Sequence, residues 1–347
     1  MRNFWKLTIV GSLGLLIFGM IVGGVIMIGY GLQGITDGDD KKNHHDKDPV
    51  NTAQPFQETL LDAKKNFQTH LISQPADVRQ VPPRLTDGEI VTFPSPGVGN
   101  LKAYISETKP GLLPRAPAVI WVHNRFAGID KSVWKQAKIF ADAGFVLFCP
   151  SFRGENFNPG RFEYCFGEVD DLIAAVDYLK QHPAVDPNRI YVAGYETGGA
   201  MTLLAATSGI TTVRAFFSIG GFGDLQQLLD EENESDPLSS RRKIERSLPF
   251  MRYNLDELRM RSAVHFVQGI RAPVYCLEGE KDGLFTKTIL PMERMALSRG
   301  IRFSFYRVPQ LTHESIVQPA IEAIAKKIEL DKEKVVNIQF NFIDFRD

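Results

Sequence analysis

The stretch Arg189-Ile-Tyr-Val-Ala-Gly-Tyr-Glu-Thr-Gly-Gly-Ala-Met-Thr-Leu-Leu-Ala-Ala206 decides how the chain is read. It begins with an apolar run, 190–193, of the kind a buried central strand needs. Gly194 and Gly198 bracket a sharp turn, and a helix of small residues follows from Gly199. Strand, glycine-bracketed turn and helix make the pattern G-x-S-x-G, in which a strained turn lifts a nucleophilic serine clear of a sheet. Here the tip of the turn is Glu196. A serine there can lose its proton to a histidine and attack a carbonyl. A glutamate is already ionised at neutral pH and its carboxylate is a weak nucleophile.

Outward from the turn, strands and helices alternate. The pattern predicts strands over 90–93, 101–106, 118–123, 146–150, 190–194, 215–220, 274–278 and 303–308, and helices over 133–143, 167–181, 198–207, 286–299 and 315–330. Such alternation implies a mostly parallel sheet of eight strands with helices on both faces. The glycine-bracketed turn then follows the fifth strand. The charged, helix-prone segment 224–270 is expected to form a small helical lid. Phe56, Leu60, Ala63, Phe67 and Leu71 recur at helical spacing and predict a lead-in helix of roughly four turns.

Ahead of this domain, 7–32 is an uncharged apolar run preceded by Arg2, Trp5 and Lys6. About twenty such residues suffice to cross a bilayer, and no small-residue cleavage site of a signal peptide follows. The expectation is a short basic N-terminus at 1–6, a single transmembrane anchor at 7–32 and a flexible polar linker at 33–55. The domain covers 56–331, the lid about 224–270, and a C-terminal tail 332–347. The short basic N-terminus places itself in the cytoplasm and the domain outside it. Gly19 and Gly23 form a G-x-x-x-G through which two anchors could pair as a homodimer. His44 and His45 lie in the linker and are taken as solvated.

Composition narrows the function. The 347 residues are 44% hydrophobic and carry a formal net charge of -1, which gives no reason to expect nucleic acid. Cys149, Cys165 and Cys276 show neither metal spacing nor a disulfide framework. No metal site or cofactor is indicated. Cys149 and Cys276 lie in strand-like runs and should be buried thiols.

Two residues beyond the turn complete a chemical pattern. Asp282 closes Leu277-Glu-Gly-Glu-Lys-Asp282 after the seventh strand, and His313 closes Val308-Pro-Gln-Leu-Thr-His313 after the eighth. Nucleophile, acid and histidine in that chain order, each at the carboxyl end of a strand, are the order of the α/β-hydrolase triad. With Pro150-Ser-Phe-Arg-Gly-Glu-Asn-Phe-Asn-Pro-Gly160, Gly167-Glu-Val-Asp-Asp171, Val185-Asp-Pro-Asn-Arg-Ile190 and Phe67-Gln-Thr-His-Leu71, the chain resembles the prolyl oligopeptidase family in a short bacterial form without the propeller. The resemblance spans about residues 56–331. It implies an α/β-hydrolase fold and a peptidase or esterase site with Asp282 and His313 in the triad. It also implies a serine where Glu196 stands, and a His-Gly-Gly turn after the third strand. Here that turn reads His123-Asn-Arg-Phe-Ala-Gly128. The implied oxyanion-hole positions are Thr197, Asn124 and Arg125, the last two bulkier than the family's glycines. Thr197 and Ser218 are poor substitutes for a serine at the tip.

The sequence therefore supports a membrane-anchored, catalytically impaired pseudohydrolase that binds a small molecule or peptide. The alternative is a live hydrolase using Glu196 as a carboxylate nucleophile with Asp282 and His313. On either reading Glu196 is expected to be paired with Arg125, His313 or both, since an unpaired buried carboxylate is costly.

Overall fold

In the computed structural model the described residues are 58–73, 81–85, 87–106, 115–124, 126, 128–230 and 240–331, without the side chains of 240–243 and 284. The anchor, the linker, the C-terminal tail and Arg125 lie outside them. Among the described residues no helix is long and apolar enough to cross a membrane.

Eight strands form one sheet in the order β1-β2-β4-β3-β5-β6-β7-β8. They are β1 (Gly88–Ser95), β2 (Gly99–Ser106), β3 (Ala116–Val122), β4 (Val146–Pro150), β5 (Val185–Tyr195), β6 (Ala215–Ile219), β7 (Val274–Gly279) and β8 (Phe303–Val308). The β1–β2 hairpin and the β2–β4 pairing are antiparallel, and every later pairing is parallel. All eight expected strands are present. In β4, β6 and β7 every residue is buried, as strands covered on both faces must be.

The strands' alternation splits the core into two layers. Ile120, Phe148, Val192, Phe216 and Cys276 face α3 (Gly167–Gln181), α4 (Thr197–Ala206) and α8 (Gly283–Ser298). Trp121, Leu147, Ala193, Phe217 and Leu277 face α2 (Lys131–Asp142) and α9 (Val317–Leu330). All three cysteines are free and buried.

The lead-in helix is much shorter than expected. α1 spans only Leu60–Lys65, opened by a Thr59–Asp62 capping box and ended at Asn66. Tertiary partners draw the following residues out of the helical path. Phe67 packs edge-on against Phe166, and the Glu257 carboxylate takes the Thr69 hydroxyl at 2.9 Å and the His70 amide at 2.5 Å. The segment 224–270 contributes α5 (Leu225–Asp230), α6 (Ser240–Ser247), α7 (Leu255–Met260) and a 3-10 turn (Ala263–Gly269). Its inner side is integral to the core: Leu225, Leu258, Ala263, Phe266 and Val267 are buried.

The strand order reverses between β3 and β5, whose neighbours are reached by crossovers in opposite directions. In open α/β sheets ligands bind outside the carboxyl ends of the strands at such a switch point. The ends of β3 and β5 are where His123-Asn124 and Glu196 stand.

Candidate active site

The turn after β5 has the strained geometry its glycines allow. Glu196 sits at φ 53 and ψ -114 between β5 and α4, a backbone region that costs a non-glycine residue of order 1–3 kcal/mol. Its amide donates to Ile219 O at 2.9 Å, and its carbonyl accepts from the Ala200 amide at 3.0 Å. Gly198 is what lets α4 lie against the sheet, since a Cβ there would stand 2.0 Å from Val122 O. Thr197 opens α4, so its amide is one of the N–H groups a helix leaves unbonded at its start.

The tip side chain turns towards β3. Asn124 Nδ2 donates to Glu196 Oε2 at 2.8 Å. The partner of Glu196 among the described residues is therefore Asn124, and the expected His313 pairing is absent among them. An amide suffices because Glu196 is only half-buried, so its carboxylate keeps some access to water. The turn bearing Asn124 is braced from below. Asn156, fully buried, accepts from the Ile129 amide at 2.7 Å and from Ser151 Oγ at 2.6 Å, while His123 Nε2 lies 3.2 Å from Glu155 Oε2.

Across the crevice, Asp282 and His313 come together as their positions in the chain suggest. His313 Nδ1 lies 2.6 Å from Asp282 Oδ2. Phe285 stacks on the imidazole at 4.5 Å and Tyr195 flanks it at 5.3 Å. Gly220, at φ 53, leaves room for the ring: a Cβ there would stand 2.7 Å from His313 Cε1. Burial alone would lower the His313 pKa, but the hydrogen bond and charge of Asp282, and then the charge of Glu196, raise it above its ordinary value. His313 Nε2 is buried and has no hydrogen-bond partner among the described residues. That nitrogen is the one a triad histidine presents to its nucleophile.

A second carboxyl group supports the acid. Thr286 Oγ1 lies 2.6 Å from Glu278 Oε2 and 2.7 Å from the Asp282 carbonyl. A hydroxyl has one hydrogen, so both contacts are satisfied only if Glu278 is protonated and donates to Thr286, which donates to Asp282. Burial pushes the Glu278 pKa up to about 8, in keeping with that assignment. Its one sequence signal is its place at the end of β7, four residues before Asp282.

The loop after β4 carries the ionic frame. Arg153, buried, holds Asp171 through Nε at 3.0 Å and Nη2 at 2.8 Å. Arg261, also buried, pairs with Glu257 and donates to Glu163 O and Thr69. These groups tie 224–270 to the loop containing Tyr164. The Tyr164 phenol is held far above its usual pKa by burial, with smaller contributions from Cys165 and Glu196.

Known proteins share this architecture. Residues 131–328, more than half the chain, match the prolyl oligopeptidase family, and the chain belongs to that family. It is 32% identical over 143 residues to the uncharacterized peptidase YtmA of Bacillus subtilis (strain 168), a match covering 41% of this chain and 54% of that protein. The chain thus spans about half the length of that curated relative. Among solved structures, a puromycin-hydrolyzing peptidase of Mycobacterium tuberculosis superposes with a TM-score of 0.60 at 18% identity, over 71% of this chain and 40% of that one. A hyperthermophilic esterase of Pyrobaculum calidifontis superposes with a TM-score of 0.55 at 18% identity, over 71% of this chain and 86% of that one. At such identities the likeness is one of fold.

Proposed function

We propose that this is a prolyl-oligopeptidase-family domain in which Glu196 replaces the nucleophilic serine, and that it acts by binding a small-molecule or peptide ligand rather than by hydrolysing one. The hydrogen bond from Asn124 to the Glu196 carboxylate carries the reading. It holds the tip side chain against the turn that would supply an oxyanion donor, while His313 of the dyad opposite has no hydroxyl bonded to its Nε2 among the described residues. Thr197 and Asn124 hold the oxyanion-hole positions, and Arg125 is assigned there with them. We further propose that the run 7–32 anchors the protein in a membrane with the domain on the extracytoplasmic side.

The test is activity-based labelling with esterase and peptidase assays. The wild type should neither react with a fluorophosphonate nor turn over p-nitrophenyl esters or aminoacyl-nitroanilides. Glu196→Ser should label weakly, because a serine beside His313 can be activated even with a poor oxyanion hole. Robust hydrolysis by the wild type that Glu196→Gln abolishes would overturn the binding reading in favour of a carboxylate nucleophile. Retention in membranes after a carbonate wash checks the anchor.

A further inference from the structure

At the opposite end of the sheet from Glu196, the amino ends of the parallel strands frame a hollow of about 490 Å³. That is within the usual size of a small-molecule site. Its walls include Lys180, Arg214, Arg271 and Arg302 together with Thr211 and Thr212. The placement follows from the fold. Arg214 immediately precedes β6, Arg302 immediately precedes β8, Arg271 stands three residues before β7, and Lys180 lies in the last turn of α3. Parallel pairing of β6, β7 and β8 brings their starts side by side.

The charges here are unbalanced. Arg214 is satisfied by Asp331, through Nε at 2.9 Å and Nη2 at 2.7 Å. Lys180, Arg271 and Arg302 are exposed, and among the described residues none has a carboxylate within ion-pair distance. Arg271 uses only Nη1 on the carbonyls of Gln268 and Ile270, which leaves the Nε–Nη2 edge of its guanidinium for a ligand. Helices α3 and α4 end at this edge, and a helix C-terminus is equivalent to about half a negative charge. Two such termini offset only about one of the three free cations.

We propose that this hollow binds an oxyanion of the phosphate class, carried by a soluble phosphorylated small molecule or by a lipid headgroup. A phosphate monoester brings about two negative charges and three acceptor oxygens. That answers the charge surplus and the donor surplus together, as a single carboxylate does not. The guanidinium forks of Arg271 and Arg302 suit bidentate phosphate contacts, and the two threonine hydroxyls add neutral donors.

The experiment is isothermal titration of the full chain in neutral detergent with inorganic pyrophosphate, at low and high salt. Saturable one-to-one binding is expected, weakening as salt rises because the cations are exposed. Arg302→Gln should weaken it about tenfold, and Arg271→Gln in addition by about as much again, as losses of charge-assisted hydrogen bonds. Both side chains are exposed, so the variants should keep the wild-type unfolding midpoint. Tighter binding of dihexanoyl phosphatidic acid than of pyrophosphate would assign the site to lipid headgroups, and the reverse to soluble phosphates. Absence of saturable binding to either, or binding unchanged in the double variant, would overturn the proposal.

Discussion

On one side of the crevice, the loops after β7 and β8 bring Asp282 to 2.6 Å from His313 and leave the far imidazole nitrogen without a partner among the described residues. On the other side, the turns after β3 and β5 bring Asn124 to 2.8 Å from Glu196, and that contact is internal. The first half is arranged as a base waiting for a hydroxyl. The second uses its polar groups on each other. A hydrolase needs both halves facing the substrate, so on the proposed binding function the difference lies in two short turns rather than in the scaffold.

The largest effect should come from placing a serine at the tip and then removing its base. In a Glu196→Ser background, His313→Ala should slow fluorophosphonate labelling by roughly four orders of magnitude, the scale on which a triad depends on its histidine. Labelling that survives in the double variant would mean the intact dyad is only a remnant. Next in size is the opposite half. Adding Asn124→Gly and Arg125→Gly to Glu196→Ser should raise esterase turnover roughly 100-fold, if one oxyanion donor is recovered. No gain would place the defect elsewhere than the turn after β3.

What could be read from the sequence was what local pattern determines. The buried run before Gly194, the two glycines and the chain order of Asp282 and His313 each depend on a few neighbouring residues, and each stands where expected. Individual contacts between distant segments were less legible. Asn124 and Glu196 are 72 residues apart, and although the family resemblance put both at one site, the expected partners of Glu196 were Arg125 and His313, not Asn124. The helix expected to run on past Asn66 fails for the same reason, because Glu257 takes up Thr69 and the His70 amide from 188 and 187 residues away. The Glu278–Thr286 contact falls within one βα unit, yet its meaning depends on burial, which the sequence does not state.

Glu278 offers a third, intermediate effect on the dyad side. In the unfolded chain this carboxyl ionises near 4.5, whereas in the fold it keeps its proton to about 8. Between those values the folded state holds the extra proton, so the contribution of Glu278 to stability declines as pH rises from about 4.5 to about 8. Glu168, raised to about 8 mainly by burial, declines over the same window. Glu278→Gln keeps a donor for Thr286 and cannot ionise. Its thermal midpoint should therefore fall less than that of the wild type across this range, with the share due to Glu168 remaining. Identical pH dependence in the two proteins would show that Glu278 is ionised in the fold, against the hydrogen-bond assignment around Thr286.

The smallest effect asks whether the two halves communicate. Asp282 acts on His313 by direct contact, while Glu196 acts only through its charge, and both hold the imidazole proton more tightly. Glu196→Gln removes that charge but keeps an oxygen for the Asn124 amide, so the turn should stay in place. The His313 pKa, followed by NMR of ring-labelled protein, should then move down towards the ordinary histidine value, by less than in Asp282→Asn. The direction follows because a neighbouring negative charge favours the imidazolium, and its removal frees Nε2 to act as a base at lower pH. An unchanged His313 would mean that a cation already cancels Glu196, and the sequence places Arg125 beside Asn124 for that part. In that event the tip is sealed by an ion pair. Removing Arg125 should then raise the His313 pKa, a shift of opposite sign that separates the two arrangements of the crevice.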